Sequence, residues 1–143
     1  SDVYKRQVHM QTGLHFLMVE VASLQDLAEA KSPPLAEVQA LGTKQVYVYC
    51  KTGDGIQARM FAPELGIVED PATGGAAVFF AALQAELLGQ DGEFKWVINQ
   101  GVEMGRPSRL NATALRSAGD TVKITVGGDV IMMMEGTLTL SWQ

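Results

Sequence analysis

The chain of 143 residues is poor in the side chains that bind metals or form disulfides. One cysteine, Cys50, and two histidines cannot make an internal disulfide or the clustered ligands of a zinc site. No apolar run approaches the roughly 18 residues of a membrane-spanning helix, and the first residues do not follow the order of a signal peptide. We therefore expect a cytoplasmic protein with no metal and no membrane association.

Positive charge is also scarce, with 11 Lys and Arg against 16 Asp and Glu and a net charge of −5. Nucleic-acid-binding proteins gather Lys and Arg on one face to neutralise phosphates. The basic residues here are scattered along the sequence, so we expect no nucleic-acid partner. The hydrophobic content of 47% predicts one core, since a domain of this size buries roughly 70% of its unfolded surface.

Residues 1–7 differ from the rest of the chain. They hold three charged side chains and precede the first periodic segment. We interpret them as a non-native or truncation remnant outside the fold, and we assign the fold to residues 8–143.

Strand patterns dominate these remaining residues. An apolar stretch at residues 14–21 predicts a buried strand, and two runs at 45–51 and 56–61 flank turn residues and predict a hairpin. Four later segments alternate as half-buried antiparallel strands do, namely residues 93–99, 110–115, 121–126 and 130–142. Within this pattern, Cys50 and the methionines at 132–134 are predicted to be core residues.

Three helices interrupt the strands. Two short surface helices are predicted at residues 24–31 and 35–41. The third, residues 74–88, has no polar side chain before Gln84, so protein must surround its first three turns. A sheet that curves around this helix would bury it. The sequence therefore predicts an α+β fold with a curved, mainly antiparallel sheet wrapped around a buried central helix.

The best candidate site directly precedes this central helix, where Asp70 and Thr73 lead into Gly74 and Gly75. The first amides of a helix lack internal partners, and they favour an anion. A small organic acid could bind Thr73 and the amides of Gly74, Gly75 and Ala76, beside Asp70 as a proton donor or acceptor. The structural alternative is that Asp70 and Thr73 only cap the helix and the glycines only allow close packing.

A second candidate lies in the glycine-flanked segment at residues 101–109. Glu103 lies there with Arg106 and Arg109, and the arginines could bind a carboxylate. The alternative is a loop of solvated charges.

Residues 59–76, reading RMFAPELGIVEDPATGGA, resemble the PhzF-like family of phenazine biosynthesis, as do QGVEMGRPS at 100–108 and VGGDV at 126–130. The resemblance covers nearly everything after residue 8, but only the C-terminal half of a family member. It implies the diaminopimelate-epimerase-like fold, in which two lobes each wrap a curved sheet around a helix and the active site lies between them. It also implies cofactor-independent proton transfer within a small carboxylate-bearing acid.

The resemblance also implies roles for single residues. Asp70 is similar to the active-site aspartate of the family's Glu-Asp-Pro stretch, and Gly74 to the glycine whose amide faces the substrate. The next family position is commonly serine, so Gly75 keeps the amide but lacks the hydroxyl. The family's glutamate acid/base and its Cys-Gly-His segment belong to the N-terminal lobe, and this sequence contains no Cys-Gly-His.

We therefore expect one lobe of an isomerase that carries half of an active site and has little turnover alone. Its expected partners are a small organic acid and either a missing N-terminal lobe or a second copy. The alternatives are a non-catalytic lobe that binds a ligand or pairs with itself, and a domain with a purely structural role.

Overall fold

The computed structural model describes residues 3–11 and 14–141, and in these residues eight strands form one sheet. The strands are β1 (Tyr4–Gln11), β2 (His15–Val21), β3 (Gln45–Lys51), β4 (Gly55–Ala62), β5 (Ile67–Asp70), β6 (Gly92–Gln100), β7 (Ser108–Ser117) and β8 (Asp120–Gly128). The helices are α1 (Leu24–Glu29), α2 (Leu35–Ala40) and α3 (Gly74–Leu88), with a 3-10 turn at Pro63–Leu65. No helix in the described ranges is long and apolar enough to cross a membrane.

The strand order is β1-β2-β3-β4-β6-β7-β8, and β5 pairs with β4 beside this path. Two strand pairs are parallel, β2 with β3 and β4 with β6, and the other five are antiparallel. Parallel neighbours need crossover connections. Helices α1 and α2 supply the first crossover and α3 the second. The predicted α+β fold with a mainly antiparallel sheet is confirmed.

Helix α3 has the predicted bounds and packs against one face of the sheet. It contacts β2 near one end of the sheet and β6, β7 and β8 towards the other. Its alanines allow this close approach, since Ala76, Ala77 and Ala81 have no exposed surface. Phe80 packs edge-on against Tyr49, with ring centroids 5.2 Å apart. The helix is not enclosed on every side, because Val78 stays 39% exposed.

The short helices α1 and α2 cover the opposite face of the sheet. Ser23 caps α1, its hydroxyl accepting a hydrogen bond from the amide of Asp26. Leu27 of α1 and Val38 of α2 are fully buried in a second cluster that contains Cys50. The prediction that Cys50 is a core residue is confirmed, and burial raises the pKa of its thiol.

The prediction that residues 1–7 lie outside the fold is wrong for residues 4–7. They belong to β1, which pairs antiparallel with β2, Gln7 lying opposite Val19. Because β1 is an edge strand, side chains such as Lys5 and Arg6 stay exposed, and the sequence lacks the apolar alternation of a covered strand. The origin of residues 1–7 stays a prediction.

The predicted strand at residues 130–142 is also wrong. Residues 129–141 contain no strand, and Trp142 lies outside the described residues. The methionines at 132–134 are 83 to 87% exposed, so their predicted core role is wrong as well. The alternating apolar side chains of this segment have no neighbouring strand to pair with, because β8 is the last strand in the sheet and no described strand pairs with its outer edge.

Candidate active site

The loop between β5 and α3 brings Asp70 and Thr73 together. Strand β5 ends at Asp70, which lies opposite Met60 of β4, and α3 begins at Gly74. The Thr73 hydroxyl donates a hydrogen bond to Oδ2 of Asp70 at 2.7 Å. Although Thr73 is the N-cap residue, its side chain makes no capping hydrogen bond to the helix. Thr73 therefore contacts the candidate catalytic carboxylate instead of closing the helix end.

Gln100 is a member of this site that sequence reasoning missed. It is fully buried at the end of β6. Its Nε2 donates to the Asp70 carbonyl oxygen at 2.7 Å and to the Thr73 hydroxyl at 2.9 Å, while its Oε1 accepts from the Thr73 amide at 3.2 Å. A glutamine has no acid/base chemistry of its own, and the only signal was its place at the start of the motif at residues 100–108.

Gly101 lets the turn after β6 approach the site loop. Its φ is +78°, and a Cβ there would lie 2.3 Å from the Arg106 carbonyl oxygen and 2.9 Å from the Pro71 carbonyl oxygen. Any larger residue would push the two segments apart. This turn therefore supports the loop that carries Asp70.

The amides predicted to bind a substrate at the start of α3 differ in how accessible they are. The first helical hydrogen bond runs from the Ala77 amide to the Thr73 carbonyl oxygen, and the amides of Gly74 and Gly75 make none with any described residue. Gly74 is exposed, and the space above its Cα is open. Ala76 has no exposed surface and belongs to the core. Its amide is therefore closed to a ligand in this structure.

Arg59 of β4 holds the strand that leads to Asp70. Its Nε and Nη2 donate to both carboxylate oxygens of Glu69 at 2.8 and 2.9 Å, and these hydrogen bonds are the main reason why the pKa of Arg59 is raised. Glu69 is thus fully engaged in an ion pair. Of the two adjacent carboxylates, Glu69 and Asp70, only Asp70 remains available for proton transfer.

The structure does not bring together the residues of the second candidate group, Glu103, Arg106 and Arg109. Glu103 accepts a hydrogen bond from Gln57 at 2.7 Å, and within the described ranges it forms no ion pair with Arg106 or Arg109. Arg109, in contrast, lines a cavity of about 430 Å³ together with Ala72 of the site loop. Asp129 lines the same cavity, so the charge of Arg109 is not the only one there. In the described part of the chain, no three His, Cys, Asp or Glu side chains are grouped to hold a metal ion.

The family model for phenazine biosynthesis-like proteins, PhzC-PhzF, matches residues 4–136. The chain belongs to this family. Among its PhzC-PhzF relatives, a trans-2,3-dihydro-3-hydroxyanthranilate isomerase of Pseudomonas aeruginosa is 42% identical over 62% of the chain and 33% of its own length. An uncharacterized isomerase of Mesorhizobium japonicum is 36% identical over 64% of the chain and 32% of its own length.

Solved PhzF structures share the fold. The Bacillus anthracis protein of the PhzF family superposes on the chain with a TM-score of 0.62 and 21% identity. The superposition covers 85% of the chain and 47% of the Bacillus anthracis structure. The Enterococcus faecalis protein gives a TM-score of 0.51 and 20% identity, over 78% of the chain and 44% of that structure. The chain thus spans about a third to a half of the length of the PhzC-PhzF relatives that it matches.

Proposed function

We propose that the chain forms one wall of the active site of an isomerase that moves a proton within a small carboxylate-bearing substrate, without a cofactor. The observation that supports this is the contact between Thr73 and Asp70 at a helix N-terminus whose first two amides are free. Membership of a family that includes isomerases supports the same reaction type.

The geometry suggests how such a substrate would bind. Its carboxylate would accept hydrogen bonds from the amides of Gly74 and Gly75, where the helix dipole favours negative charge. Asp70 has one oxygen held by Thr73, and its Oδ1 makes no hydrogen bond with a described residue. That oxygen would take up or deliver the proton.

One wall does not complete a proton transfer. The donor, the acceptor and the substrate must be held within hydrogen-bond reach of one another. We propose that an N-terminal lobe, as in the longer relatives, supplies the second acid/base group. A trans-2,3-dihydro-3-hydroxyanthranilate-like amino acid is the first substrate to test, because three curated relatives carry that name.

The binding half of the proposal is tested by NMR titration of the full chain with 3-hydroxyanthranilate. We expect the largest shifts at the amides of Gly74 and Gly75. Gly74→Pro removes one amide hydrogen at the first helical position, where proline is tolerated. The backbone of Thr73 (φ −121°, ψ 90°) lies outside the α region that a following proline disfavours. Gly74→Ala is the matched control, since it keeps the amide and its Cβ enters open space.

Gly74→Pro should weaken binding by about tenfold, the loss of one hydrogen bond to a charged group, while Gly74→Ala should bind nearly as the parent does. Equal affinities of the two variants would contradict a helix-amide site.

The catalytic half is tested by incorporation of solvent deuterium into trans-2,3-dihydro-3-hydroxyanthranilate. We expect little exchange from the chain alone, and exchange once the N-terminal half of a relative is added. Asp70→Asn keeps the shape of the side chain but removes its acid/base function, so it should abolish that exchange. Robust exchange by the lone chain, lost in Asp70→Asn, would show that one lobe is enough.

We propose as a second function that the lobe pairs with a second copy through residues 129–141. Seven large apolar side chains in this segment are 65 to 92% exposed. Apolar residues scattered singly on a surface are normal, but a group of exposed apolar residues marks an interaction site. The segment carries Asp129 and Glu135 and no basic residue, whereas the free edge strand β1 exposes Lys5 and Arg6. Addition of the segment to β1 of another copy would pair opposite charges.

A further inference from the structure

The side-chain amide of Gln100 uses its hydrogen-bonding capacity on one loop. Both hydrogens of Nε2 are placed, one on the Asp70 carbonyl oxygen and one on the Thr73 hydroxyl, and Oε1 accepts from the Thr73 amide. The residue itself has no exposed surface. Burying an amide costs free energy unless it is hydrogen-bonded, and an apolar residue of similar size would fill the same space without that cost. The hydrogen bonds of Gln100 to the candidate site therefore point to a role beyond packing.

The bond to Thr73 fixes the direction of the Thr73 hydroxyl. Because that oxygen accepts from Gln100, its own hydrogen must point to a different acceptor, and it points to Oδ2 of Asp70 at 2.7 Å. A threonine at the N-cap ordinarily accepts from the amide of the second or third helical residue. Here those residues are Gly75 and Ala76, and the capping bond is not made.

We infer that Gln100 is a positioning residue that keeps Thr73 from capping α3, and so holds the Gly75 amide open and the Asp70 carboxylate fixed. The role of this arrangement in substrate binding rests on the proposed function, but the arrangement itself can be tested without a substrate. Gly101 adds to the same effect, since the tight approach of its turn to Pro71 keeps the end of β6 against the loop.

The test compares Gln100→Met with Gln84→Met in the full chain. Both remove a buried glutamine amide, but the Nε2 of Gln84 has no hydrogen-bond partner in the described residues and Gln84 lies within α3. In Gln100→Met the Thr73 hydroxyl is free to cap the helix. We expect slower hydrogen exchange at the Gly75 or Ala76 amide, a changed ¹³C chemical shift of the Asp70 carboxyl, and about tenfold weaker binding of 3-hydroxyanthranilate. Gln84→Met should change none of these.

Gln100→Glu provides a partial rescue that a purely structural role would not show. A neutral glutamic acid keeps an acceptor and one donor hydrogen in place of the two donor hydrogens of glutamine, whereas its anion cannot donate to Asp70 or Thr73. Burial and the neighbouring carboxylate both favour the neutral form. The variant should therefore lie between the parent protein and Gln100→Met at acid pH and resemble Gln100→Met at alkaline pH, with the parent measured at each pH as the reference.

The outcomes separate the inference from the proposed function. If the parent does not bind 3-hydroxyanthranilate, the binding proposal fails, while the hydrogen-exchange and chemical-shift measurements without ligand still decide the role of Gln100. If Gln100→Met lowers stability but leaves the exchange of the helix amides and the chemical shift of the Asp70 carboxyl unchanged, Gln100 is only structural. If Gln100→Met does not fold, a pH-independent Gln100→Glu would overturn the inference by itself.

Discussion

Two buried tyrosines on β3 show how single hydroxyl groups affect stability. Tyr47 and Tyr49 are both fully buried, and desolvation raises the pKa of each well above its ordinary value. The Tyr49 hydroxyl donates to Oε2 of Glu20 at 3.3 Å, but the Tyr47 hydroxyl has no partner among the described residues. A buried polar group without a partner costs about 1–3 kcal/mol.

We predict that Tyr47→Phe leaves the free energy of unfolding unchanged or raises it by about 1 kcal/mol, whereas Tyr49→Phe lowers it by about 1 kcal/mol. The two substitutions remove the same atom from neighbouring positions, so each is the control for the other. Urea unfolding followed by tryptophan fluorescence measures both. A larger loss in Tyr47→Phe would mean that its hydroxyl is hydrogen-bonded.

At the same scale, the sequence pointed to the candidate residues that could carry chemistry but not to the residue that supports them. Asp70 and Thr73 could be located because a carboxylate, a hydroxyl and two glycines precede an apolar helix. The structure brings them into contact. Gln100 could not be found in this way, because its role depends on a hydrogen bond across 27 positions that leaves no periodic pattern. The predicted binding role of the Ala76 amide stays a prediction, and the burial of Ala76 in this structure leaves that amide without access to a ligand.

Among the elements, β4, β5 and α1 meet at one side chain. Arg59 lies on β4, pairs with Glu69 on β5, and donates from Nη1 to the carbonyl oxygens of Leu27, Ala28 and Ala30 at the end of α1. Helix α1 has no basic residue in its own last turn. Arg59 therefore supplies the positive charge that a helix C-terminus favours, and it fixes the strand that leads to Asp70.

We predict that Arg59→Lys lowers the free energy of unfolding by about 2 kcal/mol. Lysine keeps the charge but cannot form the two-point contact with Glu69 and reach the helix carbonyls together. Arg106→Lys, at an exposed position, is the control and should change stability by less than about 0.5 kcal/mol. Denaturant unfolding of both variants measures the difference, and equal stabilities would show that the Arg59 contacts contribute nothing.

For the whole molecule, local patterns predicted the elements with a packing partner inside the chain. The central helix, the hairpin of β3 and β4, and strands β6 to β8 all pack against another described element, although Val122 on the predicted inner face of β8 stays 56% exposed. The same reasoning failed at both ends. Strand β1 is paired but too exposed to show alternation, and residues 129–141 alternate but have no partner within the described chain. Periodicity shows that one face of a segment is apolar, but it does not show which element packs against that face.

The apolar segment at residues 129–141 leads to a prediction about assembly. If it adds to β1 of a second copy, light scattering should give twice the 15.4 kDa of one chain at micromolar concentration. Met132→Glu with Met134→Glu should then give monomers, because the new charges would be buried in the contact. Leu24→Glu with Leu35→Glu is the control, since it places the same two charges on exposed apolar residues of α1 and α2. A parent chain that stays monomeric at these concentrations would rule out self-pairing, and dimers that persist in the double variant would place the contact on another surface.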